Sequence, residues 1–385
     1  MHEFTAYIVD DDEFIIRALQ RTLKRLVPHW HIHYFTDPLL LKEQLPSIPD
    51  VQLFISDRMM PAMQGESLLL AAKEHQPGAV RVLLTADTSA EIVVQDSSLI
   101  HHFLAKPFAD VDFIRVFQCA ERLASLPIQK HVRNQLGQMA DLPILPAHFY
   151  QLQQICQDPQ SDISQLGHVV GRDPVLVGKI YQLANSPFMG YSRPTNALEE
   201  ALLRLGFDLV LGLAANLYCQ QQLEARLNEQ QHQRILSRNW QHASIAKVLA
   251  RHSGLTLKLQ DQIFMASLLG ALGELVIAAQ PDNSVFIGDQ QSSFWPEADF
   301  LTAYMLTLWG FEPALCHGVL TQRQLRDLPD DSSMIAATLY CSHLLWSRCQ
   351  GETMEACPVN VPAPLAQEFS SLWQQAETGQ LRALW

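Results

Sequence analysis

A chain of 385 residues is longer than one ordinary domain, so length alone predicts two or three. Hydrophobic content of 48% against 17% charged predicts sizeable packed cores and excludes a disordered polypeptide. A net charge of −13, with no basic run, argues against non-specific nucleic-acid binding, which needs a basic field to displace counterions. The seven cysteines (119, 156, 219, 316, 341, 349 and 357) form no CxxC pair and read as reduced, mostly buried thiols of a cytosolic protein. The opening MHEFTAYIVDDDE carries acids within its first strand and is unlike a signal peptide. The apolar stretches 201–219 and 263–279 are broken by Arg204, Asp208 and Glu274, so they read as core helices and no membrane association is expected.

In chain order, Ala6–Val9 is a short apolar strand ending in Asp10, Asp11 and Asp12. The helical spacing of Ile15, Ile16, Leu19, Leu23 and Leu26 follows, closed by Pro28. His31–Phe35 alternates as a second strand, and Pro38–Leu45 is helical. Val51–Ile55 is a third, buried parallel strand, with Asp57 at its carboxyl end before a turn punctuated by Pro61 and Gly65. Glu66–Glu74 is helical, Val80–Leu84 a fourth strand ending at Thr85, Glu91–Leu99 a helix, and His102–Ala105 a fifth strand ending at Lys106-Pro107. Asp110–Leu123 is the closing helix. Five βα repeats within residues 1–125 predict a doubly wound, five-stranded parallel sheet with right-handed crossovers.

In such a sheet the ends of strands one, three, four and five lie side by side, where open α/β sheets bind ligands. Asp10 and Asp11, Asp57, Thr85 and Lys106 therefore converge. Neighbouring carboxylates raise each other's pKa unless a cation offsets them, and hard oxygen donors suit Mg²⁺. A divalent ion, a hydroxyl and a lysine around one carboxylate are what phosphoryl transfer to that carboxylate needs.

VDDD, the D-x-x-M-P-x-x-x-G of Asp57, Met60, Pro61 and Gly65, the LTA around Thr85 and the KPF at Lys106 resemble a response-regulator receiver domain. The resemblance implies that Asp57 is the phospho-acceptor and that Asp10, Asp11 and Asp57 hold Mg²⁺ with the backbone carbonyl of Met59. It implies further that Thr85 and Lys106 meet the phosphoryl group, that Phe103 is the aromatic switch, and that Lys106-Pro107 is a cis peptide. Phe103 stands where tyrosine is commoner, so a hydroxyl-dependent switch is not expected. Asp87, two residues after Thr85, reads more readily as a helix cap than as a modulator of phosphoryl lifetime.

Leu123–Met139 is a polar helix interrupted at Pro127. It lacks the heptad spacing of a coiled coil, so 126–141 reads as a linker helix. Beyond it no strand pattern recurs. Asp162 with Gln165 forms a capping box, and Asp173-Pro174 an N-cap followed by proline at the first helical position. Leu176, Ile180, Leu183 and Ala184 make a core stripe. Asn196 with Glu199 opens a helix ended by Gly206, and Leu209–Leu217 is the next.

LPILP at 142–146, Asp173-Pro174, LANSPF at 183–188, and Ala201, Leu202, Leu205 and Gly206 resemble the HDOD domain, an all-helical relative of HD phosphohydrolases that carries no metal. An HD site needs a His, a His-Asp dyad and a later Asp to hold a metal-activated water. His242 falls at the first position, but Gly270 and Ala271 occupy the dyad and cannot ligate. His317 follows later, with Gln322, Arg323 and Gln324 and no second histidine beside it.

The sequence thus predicts an α/β plus all-α chain. Residues 1–125 are a receiver, 126–141 a linker helix, 142–350 an HDOD domain and 351–385 a helical extension with Leu365, Phe369, Leu372 and Trp373 inward. The expected function is a cytoplasmic two-component response regulator. A sensor histidine kinase passes a phosphoryl group to Asp57 with Mg²⁺ as cofactor, and this switches a non-catalytic HDOD domain toward an unknown downstream protein. Neither nucleic acid nor membrane is an expected partner, and oligomeric state is open, a homodimer included. The alternative is a phosphorylation-regulated nucleotide or cyclic-dinucleotide phosphohydrolase.

Overall fold

Five apolar runs pair into one parallel sheet: β1 (Phe4–Val9), β2 (Trp30–Phe35), β3 (Leu53–Asp57), β4 (Val80–Thr85) and β5 (His102–Ala105), in the order β2-β1-β3-β4-β5. The computed structural model describes residues 4–86, 99–126, 130–139, 142–143, 145–186, 189, 191, 193–279, 297–322, 330–351, 361–377 and 381. They form two compact units, one mainly of residues 1–147 and the other mainly of 148–385. Asp87, most of the helix expected over Glu91–Leu99, the polar stretch 280–296, and Arg323 and Gln324 lie outside the described residues.

β3 and β4 are buried along their whole length, as continuous apolar runs in a covered parallel sheet must be. β3 starts at Leu53, two residues later than its apolar run suggests, and includes Asp57 as its last residue. Around it lie α1 (Glu13–Leu26), α2 (Pro38–Gln44), α3 (Gly65–His75) and α4 (Asp110–Ser125). Asp12 caps α1 by accepting the Phe14 N–H at 2.7 Å, and Asp37 caps α2 through the Leu39 N–H at 2.9 Å. Of the three acids after β1, Asp12 is thus committed to the helix.

Within the buried β4, Arg81 is 1% exposed. Its guanidinium donates to the carbonyls of Leu99 (2.7 Å), Pro77 and Ala79 (both 3.0 Å) and meets His101 Nε2 at 3.0 Å. Backbone carbonyls help satisfy this buried charge.

The expected linker helix is α5 (Lys130–Gln138), and it packs onto the sheet unit itself. Leu136 is fully buried, Arg133 donates to the Ala124 carbonyl at 3.0 Å, and a Cβ at Gly137 would lie 1.8 Å from the Pro77 carbonyl oxygen. Only glycine permits that approach.

The second unit contains α6 (Ala147–Gln157), α7 (Ile163–Val170), α8 (Pro174–Ala184), α9 (Leu198–Leu205), α10 (Phe207–Leu223), α11 (Glu229–His252), α12 (Leu257–Leu269), α13 (Leu272–Ala278), α14 (Glu297–Leu308), α15 (Pro313–Thr321), α16 (Asp330–Cys349) and α17 (Ala363–Glu377). Its described residues include no strand. α12 is the central helix, with Ile263, Phe264, Ala266 and Leu269 at 0% exposure among α10, α11, α15 and α16. Leu257–Ala278 is long and apolar enough to cross a membrane by length and composition, but 67% of that window is buried inside the unit.

The predicted caps explain several motifs. Asp162 and Gln165 form the reciprocal capping box of α7. Asp173 caps α8 through the N–H groups of Val175 and Leu176 and also accepts the Tyr218 hydroxyl at 2.9 Å. Asn185, within LANSPF, clamps Thr195 in both directions, at 2.8 and 2.7 Å. α9 departs from expectation, because its N-cap residue is Ala197, not Asn196. Thr195 does the capping instead: its hydroxyl accepts the Ala197 N–H at 3.1 Å and donates to Glu200 at 2.6 Å. α17 packs back on α11 and α16 through Leu365, Phe369, Leu372 and Ala376. Trp373 is only half-buried, beneath the Arg348 guanidinium.

Candidate functional site

At the carboxyl ends of β1, β3, β4 and β5, three of the expected residues meet directly. Lys106 Nζ lies 2.6 Å from Asp57 Oδ1 and 2.9 Å from Asp10 Oδ2. Asp10 follows β1 and Lys106 follows β5, so the parallel sheet puts both at the same edge and the long lysine side chain spans the strands between them. The second oxygen of each carboxylate is held by backbone: Met59 N–H donates to Asp57 Oδ2 at 2.9 Å, and Asp12 N–H to Asp10 Oδ1 at 3.0 Å.

The charges are partly taken out of water. Burial raises the Asp10 pKa above its ordinary value, opposed by hydrogen bonds from Lys106 and the Asp12 amide. Burial pulls Lys106 down, but its hydrogen bonds to Asp57 and Asp10 outweigh this and leave its pKa raised.

Thr85 closes β4 and is buried, and its carbonyl accepts the Lys106 N–H at 2.8 Å, fixing the lysine's start point. Phe103 is half-buried on β5, paired with Leu83 and packed on the cluster of Tyr7, Phe54 and Leu83. The Lys106-Pro107 peptide is cis. Within the turn after β3, Met60 is 5% exposed and anchors in the core, whereas Met59 is 71% exposed. Gly65 packs so closely that a Cβ would sit 2.2 Å from the Asp57 carbonyl oxygen.

Asp11 is exposed and stands apart: among the described residues no three His, Cys, Asp or Glu side chains form a metal-binding group. The donors that do converge are all oxygens: the carboxylates of Asp10 and Asp57, next to the chain position of the exposed Asp11. That donor set fits a hard divalent cation.

The helical unit holds a second polar cluster. His242 on α11, Gly270 and Ala271 at the α12–α13 corner, and Gln322 after α15 line one cavity of about 360 Å³. His317 is not among its lining residues. Two residues absent from any motif join it: Asp299 on α14 and His343 on α16. Gln322 Nε2 donates to Asp299 Oδ1 at 2.5 Å, and its carbonyl oxygen meets His343 Nε2 at 3.3 Å. The His242 ring stands edge-on to His343 and Trp346, with centroids 4.1 and 5.0 Å away. Only the fold collects these four elements, so no local pattern could have revealed Asp299 or His343.

The parallel sheet of order β2-β1-β3-β4-β5, with acids at its strand ends, is followed by a helical unit. The chain matches the family described as response regulator receiver domain over residues 6–118 and the HDOD domain over 142–325. It therefore carries a receiver domain followed by an HDOD domain, an architecture that fits a response regulator in signal transduction. An uncharacterized protein from Neptuniibacter caesariensis is 35% identical, with 34% of this chain and 99% of that one covered and a TM-score of 0.30. The signal receiver domain of an HD domain-containing protein from Pseudomonas fluorescens Pf-5 is 28% identical, covering 32% and 99%, with a TM-score of 0.30. An HDOD domain protein of unknown function from Geobacter sulfurreducens is 17% identical, covering 66% and 90%, with a TM-score of 0.46. No curated protein matches the chain.

Proposed function

We propose that the chain is a phosphorylation-switched regulator whose receiver accepts a phosphoryl group on Asp57 from a histidine kinase. The observation that carries this reading is the single ammonium of Lys106 holding Asp57 and Asp10 together at the strand ends. An Asp57 oxygen attacks phosphorus, the N–P bond to the kinase histidine breaks, and an acyl phosphate forms on Asp57. Lys106 offsets charge on the transferred group, exchanging one of its carboxylate contacts for a phosphoryl oxygen. The Thr85 hydroxyl turns to bind another oxygen, and Phe103 repacks as Thr85 moves.

Asp10, Asp11, Asp57 and the Met59 carbonyl would hold Mg²⁺, which when bound supplies further neutralisation of the phosphoryl oxygens. In this reading the HDOD domain is a non-catalytic platform for another protein, since Gly270 and Ala271 offer no ligand where a phosphohydrolase would need two. The protein acts in the cytoplasm, where such kinases deliver their phosphoryl groups.

The test is phosphoryl incorporation from labelled acetyl phosphate with Mg²⁺. The wild-type chain should take up label and Asp57→Asn should take up none; incorporation at the wild-type rate in the variant sinks the assignment. Hydrogen exchange with and without beryllofluoride then reads whether the change reaches beyond residue 142.

A further inference from the structure

α3 (Gly65–His75) touches the Asp57 site at one end and the docked helix α5 (Lys130–Gln138) at the other, and neither contact has slack. At its start, a Cβ on Gly65 would lie 2.2 Å from the Asp57 carbonyl oxygen. The turn between β3 and α3 is closed by the Gly65 N–H, which donates to the Arg58 carbonyl at 2.9 Å, and by the Arg58–Glu66 ion pair at 2.7 Å. The Asp57 carboxylate is tied to the same turn, since its Oδ2 accepts the Met59 N–H. In the phosphoryl-transfer reading both the Asp57 carboxylate and the Met59 carbonyl take new partners. The load then falls on this turn and on the residue of α3 fastened to it.

The 11 residues of α3 put its other end about 16 Å away. There a Cβ on Gly137 of α5 would lie 1.8 Å from the Pro77 carbonyl oxygen, which also accepts from Arg81 Nη1 at 3.0 Å. A second link runs through the segment before β3. The Gln76 side-chain amide donates to the Pro49 carbonyl at 3.2 Å, and the neighbouring Asp50 pairs with Lys130 at 3.1 Å. Both the first residue of α5 and its last turn are therefore attached to what the end of α3 holds. A contact as close as that between Gly137 and Pro77 can be broken but not tightened. Packed interfaces shift between discrete arrangements instead of deforming smoothly. Displacing α3 either withdraws the Pro77 carbonyl or drives it against α5, and both undock α5.

We propose that α3 is a rod coupling phosphorylation of Asp57 to release of α5 from the receiver. This coupling rests on the phosphoryl-transfer reading of Asp57. α5 ends at Gln138, just before the HDOD match begins at residue 142, so its release loosens the segment that joins the receiver to the HDOD domain in the chain.

The test is hydrogen exchange on the full chain with Mg²⁺ across a titration of beryllofluoride. At saturation, exchange over 130–138 should quicken by roughly fivefold or more, the low end of couplings between sites. Gly137→Ala, which forces α5 off Pro77, should make that segment exchange fast from the start and remove its response. Coupling is reciprocal, so docked α5 opposes the change at Asp57. Gly137→Ala should therefore lower the beryllofluoride concentration at half-saturation. Lys130→Glu, at an exposed ion pair, should lower it too while leaving the core intact. A saturable change around Asp57 with 130–138 unaltered or slowed overturns the coupling and leaves the phosphoryl reading standing. A half-saturation point unmoved or raised in both variants does the same, as does a full response of 130–138 in Gly137→Ala. No response anywhere in the receiver removes both readings.

Discussion

Asp57 and Lys106 are 2.6 Å apart, yet one ends β3 and the other follows β5, with β4 lying between those strands in the sheet. The lysine reaches across the end of β4 to the acid. Its removal should therefore be felt first by the two carboxylates it joins. Lys106→Met is expected to leave Asp57 and Asp10 facing each other and to destabilise the receiver by about 1–3 kcal/mol, below the cost of breaking a fully buried pair because the lysine side chain is 23% exposed. Added Mg²⁺ should recover much of the loss by taking over the neutralising role. Thermal melts of wild type and variant with and without Mg²⁺ measure both effects, and a variant melt that ignores Mg²⁺ contradicts them.

Gly65 opens α3 against the Asp57 carbonyl, with room for hydrogen only. Gly65→Ala forces the strand end and helix start apart, at an expected cost of about 1–3 kcal/mol. Because the strained contact is Asp57 itself, the rate of phosphoryl incorporation should fall in the same variant. Unchanged melting and incorporation would show that the turn absorbs a methyl group freely.

The pH dependence of the receiver should reflect His102. Burial lowers its pKa from 6.5 to about 4, so the folded state disfavours the proton that the unfolded chain accepts. Stability from this group is complete above pH 6.5 and is lost as the pH falls toward 4, by at most about 3 kcal/mol. His101, lowered by burial and by Arg81, acts in the same direction. His102→Gln, which cannot titrate, should flatten the slope of stability between those two pH values. Denaturant melts across that range are the measurement, and parallel slopes for variant and wild type would remove His102 from the account.

Asp173 performs two tasks in the helical unit, capping α8 and accepting the Tyr218 hydroxyl. Asp173→Ala loses the cap and strands the hydroxyl of a buried tyrosine, an expected cost of about 1–3 kcal/mol. Tyr218→Phe on that background should cost little more, since the shared bond is already gone. A double-mutant cycle by chemical denaturation tests this non-additivity.

Much of this protein was legible in the sequence because its signals are local. Continuous apolar runs ending in an acid, a threonine or a lysine, separated by helical stripes, specify strand ends before any sheet exists. The capping groups at Asp162 and Asp173 work within a few residues, so they too can be read directly. Asn196 misled for the same reason. Its spacing to Glu199 suited a cap, but Thr195, clamped by Asn185 ten residues earlier, holds the position.

The residues that escaped sequence reading act over distance. Arg81 lies in an apolar strand pattern and is satisfied by carbonyls from loops on either side of it. Gly137 is an ordinary helix glycine until Pro77 is placed against it. The sequence by itself determined the parallel sheet, the helical second half, and the set of strand-end residues Asp10, Asp57, Thr85 and Lys106, because strand register carries their positions. Only the tertiary structure decided that Lys106 bridges two carboxylates while Asp11 stays exposed, and that Asp299 and His343 join His242 around a cavity. Those outcomes depend on packing between elements far apart in sequence, which no local periodicity encodes.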